Sequence, residues 1–192
     1  MLNGPKCLIL PINLKATDVV PSLTIDGVAV EEKDVGTYLG DQFNKRGTNV
    51  DLIRERVNKG KSCIISSMSM CSDVTMGIHG LETILMLYRG LFVQVILNNA
   101  QAWSNLTQTD LKALQTIQLK YIKRAFHAPS STSNTLTFLE TGLLPIKNEI
   151  NIKQRTFLHH ILTLPDNDPV KFTYQQQLLY SYPNGDGLLN CM

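Results

Sequence analysis

Hydrophobic residues along this chain follow two periods, and the change comes near Gly47. Before it the spacing is that of strands. Lys6 to Ile12 is a short apolar run interrupted by Pro11. Leu23-Thr24-Ile25 and Val28-Ala29-Val30 alternate on either side of Asp26-Gly27. An Asp-Gly pair between such runs predicts a hairpin, because both turn residues adopt positive φ. Val35 to Leu39 predicts one more strand.

After Gly47 apolar residues recur every three or four positions, the period of a helix with one buried face. Thr48-Asn49-Val50-Asp51 has capping-box spacing, and Val50, Ile53, Val57, Ile64 and Met68 form the stripe behind it, with Gly60 as its weak point. Leu81, Ile84, Leu85, Tyr88, Leu91, Phe92, Val95 and Ile96 make a wider stripe, which predicts a central helix contacted on two sides. Thr107-Gln108-Thr109-Asp110 is a second capping box, opening a helix with Leu111, Leu114, Ile117, Tyr121 and Ile122 inward. Ala128 to Thr132 reads as a loop. A short helix then stops at Gly142, the residue type favoured just past a helix end. Pro145 starts the next helix, where its missing N–H costs nothing, and Ile146, Ile150, Phe157, Leu158, Ile161 and Leu162 line it. Asp168-Pro169 opens a last helix.

The predicted fold is α+β, mainly α. A small antiparallel β piece over residues 5–40 precedes a helical bundle, giving a β segment at 1–46, a helical domain at 47–181 and a flexible tail at 182–192. The chain has 192 residues, enough for one core that buries about 70% of the unfolded surface. Its 43% apolar and 18% charged content argues against global disorder. Cys7, Cys63, Cys71 and Cys191 follow no recognised spacing, and the start has no charged segment followed by a long apolar one. The apolar window Ile84–Leu97 is broken by Arg89 and Gln94 and is shorter than the ~20 residues of a membrane span. These features lead us to expect an intracellular protein, nuclear or cytoplasmic, with reduced thiols and no membrane partner.

A net charge of +2 says little, but its distribution says more. The first forty residues are acidic, with Asp18, Asp26, Glu31, Glu32 and Asp34 outnumbering Lys6, Lys15 and Lys33. Cations gather later: Lys45, Arg46, Arg54, Arg56, Lys59 and Lys61, then Lys112, Lys120, Lys123 and Arg124, then Lys147, Lys153 and Arg155. Arg54 and Lys61 lie one heptad apart, off the Ile53–Val57 stripe. Such a helix either carries a solvated face or lays cations along a phosphate backbone.

Catalytic groupings are sparse. His159 and His160 are neighbours, so on a helix they point about 100° apart. Cys63, Cys71 and His79 lack zinc-ligand spacing. No nucleophile motif or phosphate-binding glycine loop occurs. Trp103 reads as core, with base stacking as the alternative, and Tyr38 reads as a strand residue.

Three phrases in order are similar to one family. Gly36-Thr37-Tyr38-Leu39-Gly40, Leu87-Tyr88 through Trp103, and Leu139-Glu140-Thr141-Gly142-Leu143-Leu144-Pro145 resemble the stretch of a non-LTR (LINE-type) retrotransposon reverse transcriptase just downstream of the catalytic carboxylates. The likeness covers about Leu2 to Leu164. It implies the end of a palm followed by a helical thumb that holds template and primer. Lys6 matches the lysine that assists proton transfer in the family. Tyr38, Leu39 and Gly40 match the turn supporting the primer end, and His160 matches a late thumb histidine. Arg54, Arg56, Lys59, Lys61, Lys120, Lys123 and Arg124 are then the expected phosphate contacts. No Tyr- or Phe-x-Asp-Asp phrase occurs, and polymerisation needs two metals held by paired carboxylates. The expectation is a non-enzymatic piece with no catalytic residue and no metal or cofactor of its own, Mg²⁺ belonging only to an intact parent enzyme. Its expected partner is an RNA–DNA hybrid or RNA, bound in a salt-sensitive way. Two other readings stand beside this one. One is a helical interaction module that meets a protein partner, or itself, through the exposed edge of strand Lys6–Ile12. The other is a decayed transposon remnant without a selected role.

Overall fold

The computed structural model describes residues 7–12, 22–25, 27–38, 40–71, 78–103 and 106–181, apart from the side chains of 71, 78, 79, 81, 177 and 179–181. Lys6, Lys15, Asp18, Asp26, Leu39 and the predicted tail at 182–192 lie outside the described residues.

Among the described residues the strands form three separate two-stranded ladders. β2 (Thr24–Ile25) and β3 (Val28–Ala29) make the predicted hairpin, with Thr24 opposite Ala29 and Gly27 at φ 78°. β5 (Val35–Tyr38) pairs antiparallel with β6 (Asp41–Asn44), Val35 facing Asn44 and Tyr38 facing Asp41. The third ladder differs from the prediction. β1 (Leu8–Ile9) runs parallel to β4 (Glu31–Glu32), and the long stretch between Ile9 and Glu31 leaves room for the crossover that parallel pairing needs. β6 carries the β piece past its predicted end. Its sequence, Asp-Gln-Phe-Asn, is poor in strand formers, so pairing with β5 rather than propensity makes it a strand.

α1 (Val50–Cys71) begins one residue later than a Thr48 cap implies. The buried Asn44 of β6 ties this end instead. Its Nδ2 donates to Asp51 Oδ2 at 2.8 Å and to Thr48 Oγ1 at 3.0 Å, while its Oδ1 accepts from the Thr48 N–H at 3.0 Å. The buried face of α1 is Leu52, Ile53, Arg56, Cys63, Ile64 and Ser67, so Val50 is exposed and Val57 and Met68 are only partly covered. Gly60 is a contact rather than a weakness. A Cβ there would stand 2.5 Å from Ile96 Cδ1 and 3.0 Å from Ile117 Cγ1.

The predicted central helix contains a widened turn: α2 (Ile78–Leu87), a π turn (Tyr88–Phe92) and α3 (Val93–Ile96). Tyr88 and Phe92 both point inward from that turn, their ring centroids 5.5 Å apart, and Phe92 meets Tyr121 at 4.5 Å. A left-handed Asn99 (φ 58°) and a 3₁₀ turn (Ala100–Ala102) lead to buried Trp103. α4 (Gln108–Ala125) has its predicted capping box: the Asp110 N–H donates to Thr107 Oγ1 at 3.2 Å and the Thr107 N–H to Asp110 Oδ2 at 2.9 Å. α5 (Asn134–Thr141) stops at Gly142, φ 63°. α6 (Ile146–Thr163) has Pro145 as its cap rather than as its first residue. Ile146, Ile150 and Ile161 are buried, whereas Phe157 and Leu162 face water. α7 (Pro169–Ser181) begins behind Asp168, whose Oδ1 accepts from the Val170 N–H at 2.8 Å. The architecture is α+β, mainly α, with one core formed by α1 through α6.

Candidate nucleic-acid interface

α1 and α4 pack along their apolar sides, which leaves an open groove between their outer flanks and the loop after α4. Its volume is about 650 Å³. Ile64, Ile65, Ile117 and Leu119 line it, and so do Lys61 from α1 and Lys120, Lys123 and Arg124 from α4. No acidic side chain lines it among the described residues. Helical spacing puts the three α4 cations together, since positions three and four apart share a face.

The groove does not collect all seven expected contacts. Arg54 lies seven residues before Lys61 and so on the same flank of α1; it is exposed and pairs with Asp51 at 3.2 Å. Lys59 lies about 160° around the helix from Lys61 and pairs with Glu55. Lys123 donates to the Ser130 carbonyl at 3.0 Å, the Thr132 carbonyl at 2.6 Å and Asn134 Oδ1 at 3.0 Å, so its ammonium is occupied in holding the loop. Lys123 and Arg124 also stand in the last turn of α4, where the helix dipole favours cations whether or not a ligand binds.

Arg56 corrects the prediction outright. Only 2% of it is exposed, and it pairs with buried Asp41. Its Nη2 also donates to the Gly40 carbonyl at 3.1 Å and its Nη1 to the Val95 carbonyl at 3.4 Å. The guanidinium therefore fastens the β5–β6 turn to α1 and α3 and is out of reach of a phosphate. Arg56 is three residues from Ile53 and four from Gly60, so the stripe itself carried the signal. Gly40 takes φ 83° at this turn, and Tyr38 beside it is 68% exposed. Lys6 and Leu39 lie outside the described residues.

Gln118 was missed in the sequence. It is fully buried on α4, one turn from Leu114 and Tyr121. Its Nε2 donates to Tyr88 Oη at 2.6 Å and to the Leu144 carbonyl at 2.8 Å, and its Oε1 accepts from the Ile146 N–H at 2.9 Å. Burial pushes the Tyr88 phenol up to about 12, against which the Gln118 hydrogen bond acts. Gln154 Nε2 donates to the Trp103 carbonyl at 2.7 Å, and the buried indole presents no stacking face. Burial also raises the Cys63 thiol. His159 and His160 are both exposed on α6.

Among the described residues no three His, Cys, Asp or Glu side chains gather as metal ligands. No described helix is long and apolar enough to cross a membrane. No family model, curated protein or solved structure matches the chain.

Proposed function

We propose that this chain is the duplex-holding part of a non-LTR reverse transcriptase, the end of the palm plus the thumb, and that it binds a template–primer hybrid without extending it. One observation carries the reading: cations from two helices far apart in sequence line a single groove that no described acid enters. Lys61, Lys120 and Arg124 are its phosphate contacts, with Arg54 continuing the line along α1. Two of the three phrases behind the family resemblance also meet in one packed unit, with Gln118 bonded to Tyr88 and Leu144, and Gln154 to Trp103. Tyr38, exposed at the β5–β6 turn, is the residue this reading sets against the primer end. Mg²⁺ and the carboxylates that hold it would come from the parent enzyme. The compartment that fits this role is intracellular, nuclear or cytoplasmic.

Fluorescence titration with an RNA–DNA hybrid tests the reading. The Kd should fall in the nonspecific range of about 10⁻⁴–10⁻⁶ M and weaken as salt rises. Lys120→Glu with Arg124→Glu should flatten the salt slope by about 0.9 per lost contact. Binding that ignores salt, or that survives the double reversal unchanged, overturns the proposal. Primer extension by the pure chain would disprove the non-catalytic part.

A second reading rests on the β piece. Among the described residues its ladders have two strands each, and Leu23, Val28 and Phe43 stand exposed, so a protein partner or a second copy would find unpaired edges there and apolar surface. Sedimentation at several concentrations decides it; a clean monomer that captures no added strand peptide removes this reading.

A further inference from the structure

Lys123 lines the α1–α4 groove, yet its donors are already engaged. An ammonium carries three N–H groups, and three acceptors match them: the Ser130 carbonyl at 3.0 Å, the Thr132 carbonyl at 2.6 Å and Asn134 Oδ1 at 3.0 Å. These acceptors belong to the loop after α4 and to the first residue of α5. The same stretch forms one side of the groove, which Ala128, Ser130 and Asn134 line. Nothing apolar seats it, since Pro129, Ser130 and Ser131 are exposed. Its internal turn, from the Thr132 N–H to the Pro129 carbonyl at 3.0 Å, closes on itself. Among the described residues, the backbone of 129–132 is bonded to the rest of the molecule through Lys123 alone. One side chain therefore decides where this wall stands.

We infer that Lys123 is a positioning residue of the phosphate site, acting on the bound strand through the wall it holds and not through a phosphate contact of its own. The inference rests on the nucleic-acid reading proposed above. A wall fixed before binding has less freedom to lose when the strand arrives. It also presents neutral groups in the groove that holds Lys120 and Arg124: the Ser130 hydroxyl, and the Nδ2 donors that Asn134 keeps while its Oδ1 takes the lysine. Serine and asparagine are regular partners of phosphate oxygens. Contact and positioning differ in how salt acts on them. A cation that neutralises a phosphate releases counterions, so its removal lowers both the affinity and the salt slope. Removal of a residue that places a wall lowers the affinity alike at every salt concentration.

The test titrates the whole chain with an RNA–DNA hybrid across a salt series and follows the loop by hydrogen–deuterium exchange. Lys123→Met should weaken binding about tenfold with the salt slope unchanged, and the amides of 130–133 should exchange faster. Lys123→Arg keeps the charge, but a planar fork does not meet acceptors grouped around one point, so it should lose affinity as well. Lys120→Met, which the reading makes a direct contact, should lower the slope by about 0.9 and leave exchange in the loop as it was. A slope that falls in Lys123→Met as it does in Lys120→Met overturns the inference. So does a Lys123→Arg chain that binds in full with its loop loosened, because charge alone would then suffice. A Lys123→Met chain with a loosened loop and unchanged affinity overturns it too, since the tie would be structural only, and unchanged exchange in that chain would show that the lysine holds nothing. Failure of the underlying reading is distinct: the unsubstituted chain would itself bind the hybrid without regard to salt.

Discussion

Residues 50–163 and residues 7–44 differ in what their apolar side chains build: only the first encloses a core. In the helical body Phe92, Ile96, Leu97, Leu114 and Ile146 are sealed from water, whereas Leu23, Val28, Val35, Tyr38 and Phe43 of the β piece stand in it. The cause is local. A helix satisfies its own backbone, so its side chains are free to build one core around the Tyr88–Phe92–Tyr121 rings. A two-stranded ladder satisfies one edge of each strand and covers neither face, and on its own is marginal in water. Folding free energy therefore comes from the helices, and the β piece rides on them through polar ties at Arg56 and Asn44.

The largest effect should come from inside the helical body. Phe92→Ala removes the central ring and should cost about 3–5 kcal/mol, read by denaturant unfolding. Arg56→Met tests the tie itself. It leaves the Asp41 carboxylate buried without its partner, a loss of about 3 kcal/mol unless the turn swings out to water. Hydrogen exchange should quicken at β5 and β6 while α4 stays protected, and adding Asp41→Leu should recover most of the loss. Equal quickening in α4 would mean that the two regions are one unit, and the contrast drawn above would fall. Alkaline pH gives a smaller effect confined to the helices. Below pH 10, the ordinary tyrosine value, folded and unfolded chains both keep the Tyr88 proton and stability is level. Above it the unfolded chain releases that proton first, so stability falls as pH rises toward 12, by on the order of 2 kcal/mol. Tyr88→Phe should abolish that slope in pH-dependent denaturation. The smallest change belongs to the β piece, where Phe43→Ala should cost under about 0.5 kcal/mol.

What the sequence disclosed follows the same division. Helices with strong period and caps stand where the pattern puts them, as at Thr107 and Gly142. The β5–β6 hairpin was only half legible, because Asp41 to Asn44 becomes a strand through pairing that no local signal announces. Gly60 read as a flaw because the close passage of Ile96 and Ile117 is a tertiary fact. Within the candidate site, Lys61, Lys120 and Arg124 were legible as cations, but their convergence depends on how α1 lies against α4. Arg56 departs from the charge-based expectation because position outweighs charge: its spacing from Ile53 and Gly60 puts the guanidinium on the buried stripe. Gln118 went unnoticed for the same reason, a polar residue among apolar neighbours whose partners are remote in the chain.

Those remote partners have a consequence for how the molecule comes apart. One carboxamide clasps the π turn, the link after α5 and the first residue of α6, three stretches that lie on both sides of it in sequence. A protease that cuts the exposed loop between Pro129 and Ser133 severs the chain without releasing either half. The amino-terminal piece would have to abandon the amide's acceptor and donor on the far side, and the carboxy-terminal piece would lose the helix it leans against. The nicked protein should stay whole until it is denatured, and should not reassemble from one half alone.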